Sequence, residues 1–252
     1  MSRRRQPGCL MMLLAVAMAG LGVAVMAGGD EHGPGPAAPS VPARSADPGS
    51  SPPAEPEPTR RHTGAEESAF ADIAEARRVL QELPVKGRAP MTGYTREAFG
   101  PAWSDTNANG CDTRNDILRR DLTAKVVQDC VVLSGVLHDP YSGTRVDFTR
   151  GPVTSLDVQI DHVVALANAW QTGAAYWPAD KRERFANDRR NLLAVRGDLN
   201  LQKRDGDAAT WLPPRKAFRC TYVAIQILTK QRHGLWVTAP EKEAMQRVLL
   251  GC

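Results

Sequence analysis

The sequence predicts a mixed α+β domain in which helices predominate. Three observations predict it: helix stripes or helix start signals recur from Ser68 onward, two strand-like runs flank turn residues near position 140, and two further short strand signals lie at 158–166 and 191–195. The first helix runs from Ser68 to Leu83, with Phe70, Ile73, Arg77 and Leu80 along one side, and Pro84 stops it. Asp112 caps a short helix through Leu122. Residues 130–137 and 144–149 read as strands, joined as a hairpin by His138-Asp139-Pro140-Tyr141-Ser142-Gly143. The stretch 158–166 alternates into a strand, residues 191–195 give another, and residues 198–202 start a helix. Phe218, Tyr222, Ile225 and Leu228 stripe a helix over 215–232 that closes on Lys230, Arg232 and Gly234. Thr238 and Glu241 form a capping box for a last helix carrying Met245, Val248 and Leu249.

Two segments precede this domain. Residues 1–27 open on Arg3, Arg4 and Arg5, run apolar from Cys9 to Ala27, and place Val25 and Ala27 at the −3 and −1 positions of a cleavage site, the pattern of a signal peptide. Left uncleaved, that run would anchor the chain in a membrane, the one membrane contact expected. Residues 28–67 hold 9 of the 19 prolines, no aromatic residue and Val41 as the single large aliphatic, so they cannot bury enough surface to offset their ordering entropy and read as a disordered Pro-rich linker. The folded domain is 68–252. With 42% hydrophobic and 24% charged residues, the chain is no collagen, coiled coil or multi-span membrane protein.

The formal charge of +4 is unevenly placed. Residues 68–252 carry 26 Lys and Arg against 21 Asp and Glu, and the window 181–204 alone holds 8 against 3, which is the whole excess of the domain. A charge run is most often a solvated helix face, and it becomes a phosphate-tracking surface only where chemistry lies beside it.

Apart from Cys9, four cysteines remain in what reads as an exported chain, where an even count implies bridges. Of the three connectivities, local closure is expected, Cys111 with Cys130 and Cys220 with Cys252, because each pair brackets one candidate helix or connection. A zinc site of four cysteines has no C-x-x-C spacing to support it.

The chemistry concentrates in VQIDHVVAL (158–166), where Asp161 and His162 stand side by side. Alternation puts His162 on the side of Val158 and Ile160, and a hydrogen-bonded core histidine is the plain alternative to a working one. Asn191 follows on the second strand signal, and Asn200 on the helix that comes next. No H-E-x-x-H, G-x-S-x-G or Gly-rich phosphate loop occurs, which disfavours zinc peptidase, α/β-hydrolase and nucleotide-driven chemistry. Trp170, Trp177 and Trp211 read as packing, and His138 and His233 carry no assigned role.

This order, strand with Asp-His, strand with Asn, helix with Asn, resembles the HNH endonucleases, and within them the branch similar to the C-terminal domain of GmrSD-type restriction enzymes. The runs DVQIDHVVALANAW (157–170) and NDRRNLLAVRGDLNLQKRDGDAATWLPP (187–214) carry the resemblance, which extends to NGCDTRNDILRRDL (109–122) and DPYSG (139–143). The third motif position is Asn200 rather than histidine. The resemblance implies a mostly helical domain around a ββα-metal (HNH) motif with an additional β-hairpin. It further implies a secreted, metal-dependent endonuclease acting on DNA; no second domain for sequence readout is visible, so low sequence preference is expected, and the chain is expected to be a monomer using no nucleotide cofactor. RNA is the alternative substrate, and a catalytically silent module binding nucleic acid or an anionic polymer is the alternative class.

Phosphodiester hydrolysis needs an activated water and positive charge on the phosphate oxygens. A neutral imidazole suits the first task, which makes His162 the expected general base. Asp161 and Asn200 offer hard oxygens for Mg²⁺, Mn²⁺ or another divalent cation. Asn191 is expected to orient His162 by holding the loop between the strands. Arg189, Arg190, Lys203 and Arg204 flank these residues and are the expected nucleic-acid contacts.

Overall fold

A computed structural model describes residues 72–152 and 154–252, all within the compact unit Pro58–Cys252. The expected signal peptide, the whole expected linker and residues 68–71, Phe70 among them, lie outside the described residues. Helix α1 (Ile73–Glu82) starts where the Asp72 carboxylate accepts the amide of Glu75, and it buries Ala76, Val79 and Leu80. It ends at Leu83, whose backbone is extended because the following proline crowds a helical conformation.

Helix α2 (Thr113–Asp121) is capped by Asp112, which accepts from the amide of Asn115 at 2.7 Å. The chain then passes directly into β1 (Leu122–Gln128), followed by β2 (Val131–His138) and β3 (Arg145–Thr149), an antiparallel sheet in that order. The hairpin of β2 and β3 matches the sequence expectation, with His138 facing Arg145 and Ser134 facing Thr149. Strand β1 was not foreseen. Its pairing with β2 is broken by a register shift between Thr123 and Val126, and Ala124 sits at φ +45, so no clean alternation marks it.

Strand β4 (Val158–His162) pairs antiparallel with β5 (Leu192–Arg196), Ile160 opposite Ala194 and His162 opposite Leu192. Between them run α3 (Leu166–Gln171) and α4 (Ala179–Ala186). Helix α5 (Gly197–Lys203) follows β5 without a loop. Gly197 permits that junction: a Cβ there would stand 2.0 Å from the carbonyl oxygen of Leu156, while its own N–H bonds Asp157. Gly197→Ala should therefore destabilise the domain by about 2–4 kcal/mol through overpacking against rigid backbone. Equal urea midpoints for variant and wild type would contradict this.

Helices α6 (Arg219–His233) and α7 (Ala239–Leu250) complete the domain. Gly234 closes α6 in the left-handed conformation, and Thr238 with Glu241 forms the foreseen capping box. The architecture is α+β, with seven α-helices among the described residues and short strands in two small antiparallel sheets. Trp170 is buried, and Trp177 and Trp211 pack at cluster margins.

The β4–β5 pair joins three apolar clusters. Val163 and Val195 enter the one built on α1, α6 and α7, Val158, Ile160, Leu192 and Ala194 enter the one under the three-stranded sheet, and Val164 enters the aromatic cluster of Phe99, Trp170 and Phe185. Its position is thus fixed from three sides. Two disulfides tie the ends: Cys111 to Cys130 and Cys220 to Cys252, with Cα separations of 5.3 and 5.9 Å, as local closure predicted. Each contributes about 3–4 kcal/mol by the loop-entropy estimate.

Candidate active site

Successive residues of a strand face opposite ways, so β4 sends Asp161 and His162 in different directions. Helix α5 covers the Gln159 and Asp161 side. Asn200 donates its amide to Gln159 Oε1 at 2.8 Å, and one turn later Lys203 places its ammonium 2.8 Å from Asp161 Oδ1. The other Asp161 oxygen accepts from the Tyr141 hydroxyl at 2.5 Å. Burial pushes the Asp161 carboxyl above its usual range, and Lys203 and Tyr141 oppose that shift. The Tyr141 hydroxyl is pushed well up by burial and by the neighbouring carboxylate.

His162 faces the opposite side. Its ring stacks nearly parallel on Trp103, with centroids 5.9 Å apart, and its Nε2 lies 2.8 Å from the carbonyl oxygen of Ala186. A carbonyl can only accept, so Nε2 carries the proton and Nδ1 keeps the lone pair. Nδ1 makes no hydrogen bond among the described residues. Burial lowers the imidazole pKa to about 4, against the opposing pull of the Ala186 carbonyl, so the ring is neutral at pH 7. It lines a cavity of about 320 Å³ together with Arg96, Phe99, Trp103 and Asn187.

Asn191, fully buried in a turn of 3₁₀ helix before β5, clamps the chain just beyond His162. Its Oδ1 accepts from the Val164 amide at 2.8 Å, its Nδ2 donates to the Val164 carbonyl at 3.1 Å, and its own carbonyl accepts from Val163. The carbonyl of His162 is held from below by the Lys203 ammonium at 2.8 Å. The backbone on both sides of the imidazole is therefore fixed by buried polar groups.

A larger cleft of about 590 Å³ adjoins the His162 cavity, sharing Arg96, Trp103 and Leu166 with it. Arg96, Arg114 and Arg204 line it with Asn200, Gln159 and Asp205, so cations outnumber carboxylates on its walls. Arg204 reaches it from a strained backbone, φ +53 and ψ −123, at the C-terminus of α5.

Several expected residues stand elsewhere than the sequence suggested. Lys203 was expected to touch nucleic acid, and this is corrected: its side chain is wholly buried in the ion pair with Asp161 and reaches no phosphate. Arg189 and Arg190 are half-exposed, turned toward Asp116 at 3.9 Å and Asp188 at 3.1 Å, and do not line the cleft. Arg204 does line it, and the structure adds Arg96, Arg114 and Trp103, none of which was singled out. Arg96 left no sequence signal, since it lies 66 residues before His162 in an irregular stretch. Tyr141 and Arg114 lie inside the segments that carried the family resemblance, but only tertiary contact shows their roles. His233, assigned nothing, bonds Asp188 at 2.8 Å and packs edge-on against Phe185. Burial raises the Asp188 carboxyl, but hydrogen bonds from His233 and Arg190 outweigh it and hold it well below the usual range.

The divalent ion expected at Asp161 and Asn200 can be tested against the donor set. Both Asp161 oxygens are engaged, one by an ammonium, and the carboxylate is 4% exposed. Asn200 turns its amide nitrogen to Gln159. Among the described residues no three His, Cys, Asp or Glu side chains converge. In this arrangement Asp161 and Asn200 do not fit as partners for one ion, because a cation already occupies the carboxylate.

Fold and site together define a domain with a fixed neutral histidine at the edge of an arginine-lined cleft. The family described as "GmrSD restriction endonucleases, C-terminal domain" matches residues 112–248. The chain is also 39% identical over 180 residues to an "Uncharacterized secreted protein" of Arthroderma benhamiae, covering 70% of this chain and 84% of that protein. No solved structure matches. The chain belongs to the GmrSD C-terminal domain family, a nuclease-type family of restriction endonucleases. Its secreted relative and its two disulfides agree with an extracellular location. Among the described residues no helix is long and apolar enough to cross a membrane.

Proposed function

We propose that the protein is an exported endonuclease that hydrolyses phosphodiester bonds of DNA with little sequence preference, residues 1–27 serving as its secretory signal and 28–67 as a spacer. The observation that carries this reading is a neutral imidazole of fixed tautomer beside a cleft with three arginines. The Nδ1 lone pair takes a proton from a water whose oxygen attacks phosphorus as the bond to the leaving sugar oxygen breaks, and solvent water protonates that leaving oxygen. The Ala186 carbonyl steadies the imidazolium that forms, since Nε2–H points at it. Arg96, Arg114 and Arg204 bind the phosphate oxygens on which charge builds. Asn191 and Lys203 act as positioning residues, holding the backbone that carries His162. Low preference follows from the contacts, which are to phosphate and carry no base information.

The test is nicking of supercoiled plasmid by the full secreted chain in Mg²⁺, in Mn²⁺ and in chelator, with RNA digested in parallel. The three metal conditions read a divalent-cation requirement directly. Replacing Arg96, Arg114 and Arg204 together by glutamine should weaken DNA binding and reduce the slope of log affinity against log salt by about 2–3, one released counterion for each lost phosphate contact. An unchanged slope would remove the cleft from the reading. Intact binding without nicking in any condition would leave a silent binding module, and digestion of RNA alone would replace the substrate.

A further inference from the structure

We propose that residues 105–116 form a calcium site separate from the nuclease cleft. Oxygen-bearing side chains stand at positions one, three, five and twelve of this span, Asp105, Asn107, Asn109 and Asp116, with Gly110 at position six. That is the donor spacing of a calcium loop entering a helix, with aspartate in place of the usual final glutamate. Position six needs a sharp turn that glycine makes without strain, and Gly110 has φ +82. Position seven, which gives a backbone carbonyl in such loops, is Cys111, stapled to Cys130.

The side chains converge as the spacing requires. Asp105 accepts from the amides of Asn109 at 3.1 Å and Gly110 at 2.8 Å. Asn107 and Asn109 both turn their Nδ2 groups to the Asp116 carboxylate, at 3.2 and 3.0 Å. A second observation points to a cation. Asp116 is 6% exposed and directed into the loop, yet its nearest ion-pair partner is Arg189 at 3.9 Å. Buried carboxylates are paired closely or bind metal. Turning the two asparagine amides over gives up the bonds that Asn109 Oδ1 accepts from Cys111 at 2.8 Å and Asn107 Oδ1 from Asn109 at 3.4 Å, and a cation between Asp105 and Asp116 then replaces the amide protons as the charge Asp116 faces. The donors are all oxygen and most of the loop is exposed, which suits Ca²⁺ with its flexible coordination better than Mg²⁺.

Trp103, two residues ahead of Asp105, stacks on His162, and its carbonyl accepts the amide of Thr113 in the loop. Calcium would thus rigidify one wall of the His162 cavity without touching the chemistry.

The experiment is calorimetric titration of CaCl₂ into the full secreted chain after chelation and dialysis, with thermal unfolding alongside and no nucleic acid present. Its outcome is therefore independent of the nuclease reading. One site is expected, with Kd on the order of 10⁻⁴–10⁻³ M, the range of extracellular modules. At about ten times Kd the Tm should rise by about 3–6 °C. Asp105→Ala should abolish both signals, and Asn109→Asp, adding a carboxylate at position five, should tighten binding several-fold. No heat or Tm shift up to roughly 10 mM Ca²⁺, far above the expected Kd, would overturn the site. Equal shifts with Mg²⁺, or unchanged binding in Asn109→Asp, would overturn it too.

Discussion

His162→Ala should reduce plasmid nicking by about 10²–10⁴-fold while the protein stays folded, since it removes the group that takes the proton from water. Some stability should be lost as well, about 1–3 kcal/mol, because the buried Ala186 carbonyl loses its donor. The pH dependence tests whether the ring is buried and held neutral. Burial lowers the His162 pKa to about 4, below the value near 6.5 of an unfolded histidine. The folded state thus favours the neutral ring, and its contribution is complete above about pH 6.5 and lost as pH falls toward 4. At pH 5 the linkage is worth about 2 kcal/mol, so urea unfolding at pH 7 and pH 5 should show a larger drop for wild type than for His162→Gln. Nicking by wild type should persist on the acid side to near pH 4.5. An acid limb centred at 6.5, or equal stability losses in both proteins, would mean that the ring is solvated and free to charge.

The largest stability effect is expected at Lys203. Lys203→Met leaves the Asp161 carboxylate buried with Tyr141 as its remaining partner, and breaking a buried pair in this way costs about 3–5 kcal/mol. It also removes the donor to the His162 carbonyl, so nicking should fall in parallel. Adding Asp161→Asn removes the stranded charge, and the double variant should regain at least about 2 kcal/mol relative to Lys203→Met. Urea denaturation of the two single variants and the double variant measures this coupling. Additive losses would show that the ammonium and carboxylate do not depend on each other. Loss of nicking in a double variant with recovered stability would place Lys203 among the groups that position His162.

Much of the framework was legible before any coordinates. Asp112, Thr238 with Glu241, and Gly234 are local signals, and each ends or starts a helix where it stands because the satisfied backbone groups lie within a few residues. The β2–β3 hairpin was legible for the same reason: Asp139, Ser142 and Gly143 build the turn from within it. Strand β1 was not, because a bulge breaks its alternation and its pairing is set by β2. Asn191 was singled out for its spacing, and the structure shows the local reason that spacing matters: its amide matches both backbone groups of Val164. Lys203 was misplaced because a lysine in a basic run is usually solvated. This one is buried by a carboxylate 42 residues earlier in the chain, which no local pattern records.

The sequence by itself showed the hairpin, the two strands around 158–162 and 192–196, the caps of α2 and α7, the preferred disulfide pairing, the family resemblance, and His162 and Asn191 as residues to examine. The caps, turns and strands follow from short-range signals, and the family from the resemblance carried by residues 157–170 and 187–214. The tertiary structure decided what each face of β4 meets. Alternation separates Asp161 from His162, but only the packing of α5 turns the Asp161 side into a sealed ion pair and leaves the His162 side on a cavity. It also decided which arginines form the cleft, bringing Arg96 and Arg114 beside Arg204 from distant segments. Charge along a chain fixes how many cations there are, whereas burial and long-range contact decide which of them a phosphate can reach.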